Sequence, residues 1–183
     1  MNKQTYTIVD LADAFANAAH ASIQQTRKYS GEPYINHPRQ VRQILLDHST
    51  GPVSMEMEAA ALTHDVVEDT GVTIELIQEV FGERVARLVS DLTDVSRPEN
   101  GNRKARKELD LRHTAAADPD SMSVKLADLV ANARDITTQD PDFARVWLRE
   151  KAALLEVLGD GDPGLLALAY QTLNQCRAQL AAR

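Results

Sequence analysis

VKLADLVANARDI, residues 124–136, cannot be read as a β-strand. Its apolar side chains do not alternate. Leu126, Leu129, Val130 and Ala133 recur at steps of three and four, the period of one helix face. Val124, Ala127, Ala131 and Ile136 widen that face, so this helix is expected to lie deep in a core. Set into it is one narrow polar stripe, Lys125, Asp128, Asn132 and Asp135, at the same spacing. The helical period continues in both directions. Ile8, Leu11, Ala12, Phe15, Ala18, Ala19 and Ile23 follow it near the N-terminus, and Leu165, Leu168, Ala169, Leu173, Cys176 and Leu180 near the C-terminus. His37–Pro38, Asp140–Pro141 and Asp162–Pro163 read as helix starts, and Gly71, Gly82, Gly101 and Gly159 as breaks. Helices are expected over 8–26, 38–48, 55–69, 73–80, 82–92, 102–117, 121–137, 141–158 and 163–182. The fold class is all-α, a compact single-domain bundle of eight or nine helices.

Composition agrees with that class and excludes several others. The 183 residues are 43% hydrophobic and 26% charged, which suits one domain with a sizeable core and not a disordered chain. A single cysteine, Cys176, rules out an intrachain disulfide framework. No run of apolar residues is long enough for a membrane span, and the N-terminus lacks the apolar run of a secretory leader, so a cytoplasmic protein is expected. A net charge of −7 argues against nucleic acid as a partner. The charge is uneven, however. Residues 97–112 carry six cations against three acids. That run is either a solvated helix face or a local anion site.

The chemistry concentrates in AALTHDVVEDT, residues 60–70. On a helix, His64 and Glu68 are four apart, as are Asp65 and Asp69, so one imidazole and three carboxylates share a patch. Acids at the end of a helix are unfavourable by about 0.3–1 kcal/mol each, and a bound cation removes that conflict. Asp128, in the stripe of a buried helix, also needs a cation, either a metal or a basic side chain. His37 stands before a proline in RKYSGEPYINHPRQV, residues 27–41, where its ring can enter the core at a helix start. His37, His64, Asp65 and Asp128 together make a two-histidine, two-carboxylate set suited to Mn²⁺ or Fe²⁺, with Zn²⁺ less favoured. Such a cation makes hydroxide available near neutrality, and Glu68 and Asp69 are placed to take or orient its proton. His20, His48 and His113 are read as exposed or packing residues.

This order of residues resembles that of the HD superfamily of metal-dependent phosphohydrolases. FANAAHASIQQTRKYSGEPYINHP, HDVVEDT, FGERVARLVSDLTD, NRKARKELDLRH and VKLADLVANARDI are similar to successive motifs of the hydrolase domain of RelA/SpoT homologues. The likeness runs from about residue 11 to 158, with the helix at 163–182 beyond it. It implies an HD-type helical bundle filling 1–183 as a single domain. It also implies a manganese-dependent hydrolase that removes the 3′-pyrophosphate from guanosine tetra- or pentaphosphate, leaving GDP or GTP. By position, His37, His64, Asp65 and Asp128 match the metal ligands and Glu68 and Asp69 the catalytic acidic pair. Arg27 and Lys28 match the segment on the purine and phosphates, Asn132 a nucleoside contact, and Arg103, Lys104 and Lys107 the part that meets the phosphate tails. On length the chain resembles small stand-alone alarmone hydrolases of the metazoan SpoT-homologue kind, with no room for a synthetase domain. Leu129 and Ala131 stand where the family usually has Arg and His, and Asp135 where it usually has Thr, which leaves the choice between guanosine and adenosine alarmones open. The other readings are an HD phosphohydrolase or nucleotidase on another nucleotide, including the 2′-phosphate of NADPH, and a non-catalytic alarmone sensor. Oligomeric state, monomer or homodimer, is not legible.

Overall fold

Asp–Pro pairs start three of the long helices. In the computed structural model, which describes residues 5–182, Asp118, Asp140 and Asp162 each precede a proline at the first helical turn. Each carboxylate accepts a backbone N–H of that turn, one of the donors a helix start leaves unpaired. The described residues form α1 (Ile8–Ser22), α2 (Asn36–His48), α3 (Met55–Thr63), α4 (Val66–Asp69), α5 (Ile74–Phe81), α6 (Glu83–Leu92), α7 (Arg103–Ala115), α8 (Pro119–Gln139), α9 (Pro141–Val157) and α10 (Pro163–Ala181). A 3-10 turn, Pro98–Asn100, precedes α7. The one β pairing among the described residues is an isolated bridge between Thr26 and Pro33. The all-α expectation is met.

Several boundaries shift by one or two residues from the expected ones, α8 running over Pro119–Gln139 rather than 121–137, and two larger differences matter for the site. The first helix ends at Ser22 rather than at 26, because Gln24 adopts a left-handed φ of 55°. The Gln25 N–H then bonds back to the His20 carbonyl, which turns the chain toward the middle of the bundle. The helix expected over 55–69 is broken into α3 and α4 at His64–Asp65. Asp65 flattens to ψ −7°, and the His64 ring takes up the Ala61 carbonyl left free by the break (Nδ1 to O, 2.9 Å). Pro38 lies inside the first turn of α2, which starts two residues earlier than expected.

α8 is the central element. α2, α3, α6, α9 and α10 all pack on it, and Leu126, Leu129, Val130, Ala131 and Ala133 are at most 1% exposed. One apolar cluster runs from Ala12 on α1 to Leu180 on α10, so the C-terminal helix belongs to the same core as the rest. α10 is joined on by Asp162, whose Oδ1 caps Gly164 and Leu165 while Oδ2 accepts the N–H groups of Thr50 and Gly51 at 2.9 Å. The end residues 1–4 and 183 of the expected single unit lie outside the described residues. No helix of the described residues is long and apolar enough to cross a membrane.

Candidate active site

The polar stripe of α8 opens into two cavities that meet at Tyr34 and Asn132. At their junction three helices converge. α2 brings His37 in its first turn, the end of α3 brings His64 and then Asp65, and the middle of α8 brings Asp128. His37, His64 and Asp65 each offer a ligand atom within 4.8 Å of the others. Asp128 closes the set, with Oδ1 at 3.1 Å from His37 Nε2 and 3.7 Å from His64 Nε2. The four residues that the sequence sets apart are therefore brought together. Both histidines are buried.

The crowding sets the protonation of His64. Burial disfavours its charge, but the two carboxylates outweigh that and hold it well above its usual value. The imidazoles in turn hold Asp65 and Asp128 below the ordinary carboxylate range, against burial. His64 donates Nδ1–H to the Ala61 carbonyl, so Nε2 is the atom that faces the carboxylates, and it is buried with no hydrogen-bond partner of proper geometry. A lone nitrogen aimed between two carboxylate oxygens is what a divalent cation satisfies. The donor set fits a metal.

The acidic pair lies one turn on, in α4. Asp69 accepts the Gln25 amide (Nε2 to Oδ2, 2.7 Å), and Gln25 is itself held by His20 Nδ1 at 2.7 Å. Glu68 accepts the Asp94 N–H at 2.5 Å, and burial pushes its carboxyl up. Both acids face the larger cavity beside Asp65 and Asp128. Tyr34 donates its hydroxyl to Asp65 at 2.6 Å. Burial and the nearby carboxylates hold the phenol far above its usual value, so it stays a donor. Asn132 donates to Asp128 at 2.6 Å, one turn along α8.

The two cavities differ in lining. The smaller, about 370 Å³, contains Arg27, Lys28, Tyr29, Asn132, Asp135 and Phe143. Here Arg27 is paired with Asp135, so that acid is not a bare acceptor. The Lys28 ammonium sits 4.8 Å from the Tyr29 ring centre and 5.7 Å from that of Phe143. The larger, about 880 Å³, runs from the metal-type residues to a basic wall of Arg103, Lys104, Lys107, Lys125 and Lys151. Arg103, Lys104 and Lys107 thus project from α7 into the cleft, while Arg112 of the same run is spent on Glu108 at 2.7 Å.

Six participants escape the sequence reading. Tyr34 lies within the quoted GEPYINHP, three residues before His37, and its place on the same helix start was the available signal. Gln25 and His20 act through a loop whose turn at Gln24 has no sequence marker, and His20, read as a packing residue, supports Asp69 through Gln25. Lys125 is visible in the α8 stripe, and it bonds the Leu92 carbonyl at 2.9 Å. Asp94 lies in the loop after α6, at the end of the quoted FGERVARLVSDLTD, and Lys151 comes from α9, where the sequence shows no motif.

A family model described as HD domain matches residues 12–157, which covers every residue of this site. The chain belongs to the HD domain family. Among relatives, this HD domain is 37% identical over 142 residues to the guanosine-3′,5′-bis(diphosphate) 3′-pyrophosphohydrolase MESH1 of Mus musculus, 77% of this chain and 75% of that protein. It is 35% identical over 154 residues to the bifunctional (p)ppGpp synthase/hydrolase SpoT of Escherichia coli (strain K12), 80% of this chain but only 21% of that one. A solved structure of a metazoan ortholog of SpoT that hydrolyzes ppGpp superposes with a TM-score of 0.80 at 26% identity, covering 94% of this HD domain and 97% of that chain.

Proposed function

We propose that this HD domain is a manganese-dependent pyrophosphohydrolase that converts guanosine tetra- or pentaphosphate and water to GDP or GTP and pyrophosphate. The observation that carries the reading is the complete juxtaposition of His37, His64, Asp65 and Asp128 with Glu68 and Asp69 at the junction of two cavities. The relatives named as (p)ppGpp hydrolases support it. His37, His64, Asp65 and Asp128 would hold the metal. Mn²⁺ suits two imidazoles and two carboxylates better than Zn²⁺ does, since room remains for further oxygen ligands. Bound there, the cation supplies Lewis-acid polarisation of a phosphoryl group and makes water acidic near neutrality.

The chain's own residues do the rest. The nucleoside enters the smaller cavity, where Arg27 and Lys28 reach the purine and adjoining phosphate and Asn132 the ribose. Along α8 the rise of about 1.5 Å per residue sets the backbone of Asn132 about 6 Å and that of Asp135 about 10 Å along the axis from Asp128, a spacing on the scale of a 3′-phosphorus, a ribose and a base in turn. The water oxygen bonds to the phosphorus attached at O3′, the P–O3′ bond breaks, and O3′ takes a proton. Glu68, its carboxyl raised by burial, and Asp69, fixed by Gln25, accept the proton from water and deliver it. Arg103, Lys104 and Lys107 neutralise the pyrophosphate charge. This reading takes 1–183 as one hydrolase unit, and sets it in the cytoplasm, in keeping with a buried free Cys176.

The test is turnover of guanosine tetraphosphate and its adenosine counterpart, each with Mn²⁺ or with EDTA, products resolved by anion exchange. Release of intact pyrophosphate that EDTA abolishes supports the reading, and the ratio of the two rates gives the base preference. Tight binding with no turnover would mean a sensor and contradict it.

A further inference from the structure

The larger cavity holds more cations than the reaction so far employs. Arg103 is engaged by Glu150 at 2.9 Å, Lys107 lies 3.6 Å from Asp94, and Lys125 donates to the Leu92 carbonyl. Lys151, on α9, differs from these. It forms no hydrogen bond and no ion pair with any described residue. Its ammonium lies 5.4 Å from the centre of the Trp147 ring one turn earlier, and Ala153, Leu154 and Glu150, the last engaged by Arg103, line the cavity from the same helix. Burial and the facing ammonium groups of Lys125 and Lys107 push it down, with Asp128 and Asp94 opposing. An unpaired, largely desolvated ammonium is unfavourable by itself, and an anion brought to it relieves that cost.

Its position says which anion. Asp65 and Asp128 line the larger cavity beside Asn132, which both cavities share, with Arg27 and Asp135 on the smaller side and Lys151 on the wall of the larger. A nucleotide with its ribose in the smaller cavity and its 3′-phosphorus at His37, His64, Asp65 and Asp128 carries only one group onward into the larger cavity, the second phosphate of the 3′-pyrophosphate. The 5′ tail leaves the ribose from another edge. We propose that Lys151 anchors the distal phosphate of the 3′-pyrophosphate and so lets this cleft prefer a pyrophosphate ester to a phosphate monoester. The inference rests on the hydrolase reading above. The contact exists in substrate and in product, so its loss raises KM and weakens pyrophosphate binding with little change in kcat.

The experiment measures binding of inorganic pyrophosphate, orthophosphate and GDP to the full chain with Mn²⁺, by calorimetry, in the wild type, Lys151→Met and Lys151→Arg. Lys151→Met is expected to weaken pyrophosphate by about ten- to a hundredfold, the size of one lost charge-assisted hydrogen bond. Orthophosphate and GDP should bind as before, and Lys151→Arg should restore most of the loss. Unchanged pyrophosphate binding overturns the proposal. So does an equal loss for orthophosphate, which would mean a general effect on the metal centre, and so does a loss confined to GDP, which would assign Lys151 to the 5′ tail. Should Lys151→Met not fold, amine labelling of the wild type gives the same decision. Pyrophosphate, and not GDP, is expected to protect Lys151, and labelling that pyrophosphate leaves unaffected overturns the proposal. Wild-type turnover of guanosine tetraphosphate is scored separately. Pyrophosphate binding through Lys151 without turnover would sink the hydrolase reading and leave the anion contact standing.

Discussion

Glu68 and Asp69 are neighbours in sequence but have different supports. Glu68 is held by a backbone N–H from beyond α6, and Asp69 by a glutamine that His20 fixes. Both hydrogen bonds are exposed and lie outside the apolar core, so Glu68→Gln and Asp69→Asn are expected to leave the helical circular dichroism unchanged while lowering kcat by about 10²–10⁴, the size of a lost general base. Near-wild-type kcat in both would remove the pair from the chemistry. These two acids were legible as residues because three carboxylates at a helix end make no sense for stability alone. Their partners were not, since Gln25 reaches Asp69 across 44 positions of chain through a turn made by a non-glycine residue at positive φ. Asp135 shows the opposite gap. Its presence in the stripe was plain, but its pairing with Arg27, 108 residues away, depends on how the loop before α2 lies over α8.

The break between α3 and α4 shows how an element boundary makes a site. A continuous helix over 55–69 would have kept the Ala61 carbonyl for a backbone N–H. The break gives it to the His64 ring and so fixes which nitrogen faces Asp65 and Asp128. Periodicity cannot report such a break, because His64 and Asp65 both keep right-handed backbone. Where Asp–Pro marks a start, as at α9 and α10, the expected first residue is the observed one, and each helix ends one residue earlier than expected. Two predictions belong at this scale. Asp162 caps α10 and ties it to the loop after α2, and it lines neither cavity. Asp162→Ala should therefore cost about 1–3 kcal/mol in urea unfolding and leave kcat/KM unchanged. The second concerns pH. Asp65 and Asp128, held below their ordinary values, add stability that is present above those values and lost as pH falls through the folded ones. His64, held above its ordinary value, adds stability that is lost as pH rises through the folded value. In alkali the metal-free cluster thus keeps two carboxylates and loses its proton, while a metal no longer competes with that proton. The gap in Tm between Mn²⁺-loaded and EDTA-treated protein should widen from about pH 6 to about pH 9. A gap independent of pH would count against the cluster as a metal centre.

At the scale of the whole molecule, a net charge of −7 surrounds a cleft whose wall carries Arg103, Lys104, Lys107, Lys125 and Lys151. An acidic body repels a polyphosphate, and the basic wall attracts it over a short range only. kcat/KM for guanosine tetraphosphate is expected to fall by about an order of magnitude from about 0.05 to about 0.5 M salt, through KM, with kcat nearly constant. A salt-independent KM would mean that the wall does not meet the phosphates. The positive run at 97–112 made three of these five cations visible in the sequence, and the fold adds Lys125 and Lys151 from α8 and α9. The central claim is that water attacks the phosphorus attached at O3′ of a nucleotide 3′-pyrophosphate. Its most direct measurement is turnover of guanosine tetraphosphate with Mn²⁺ in ¹⁸O-labelled water, followed by mass spectrometry of both products. The expected result is one labelled oxygen in intact pyrophosphate and none in GDP. Labelled orthophosphate, or label in the nucleotide, would contradict it.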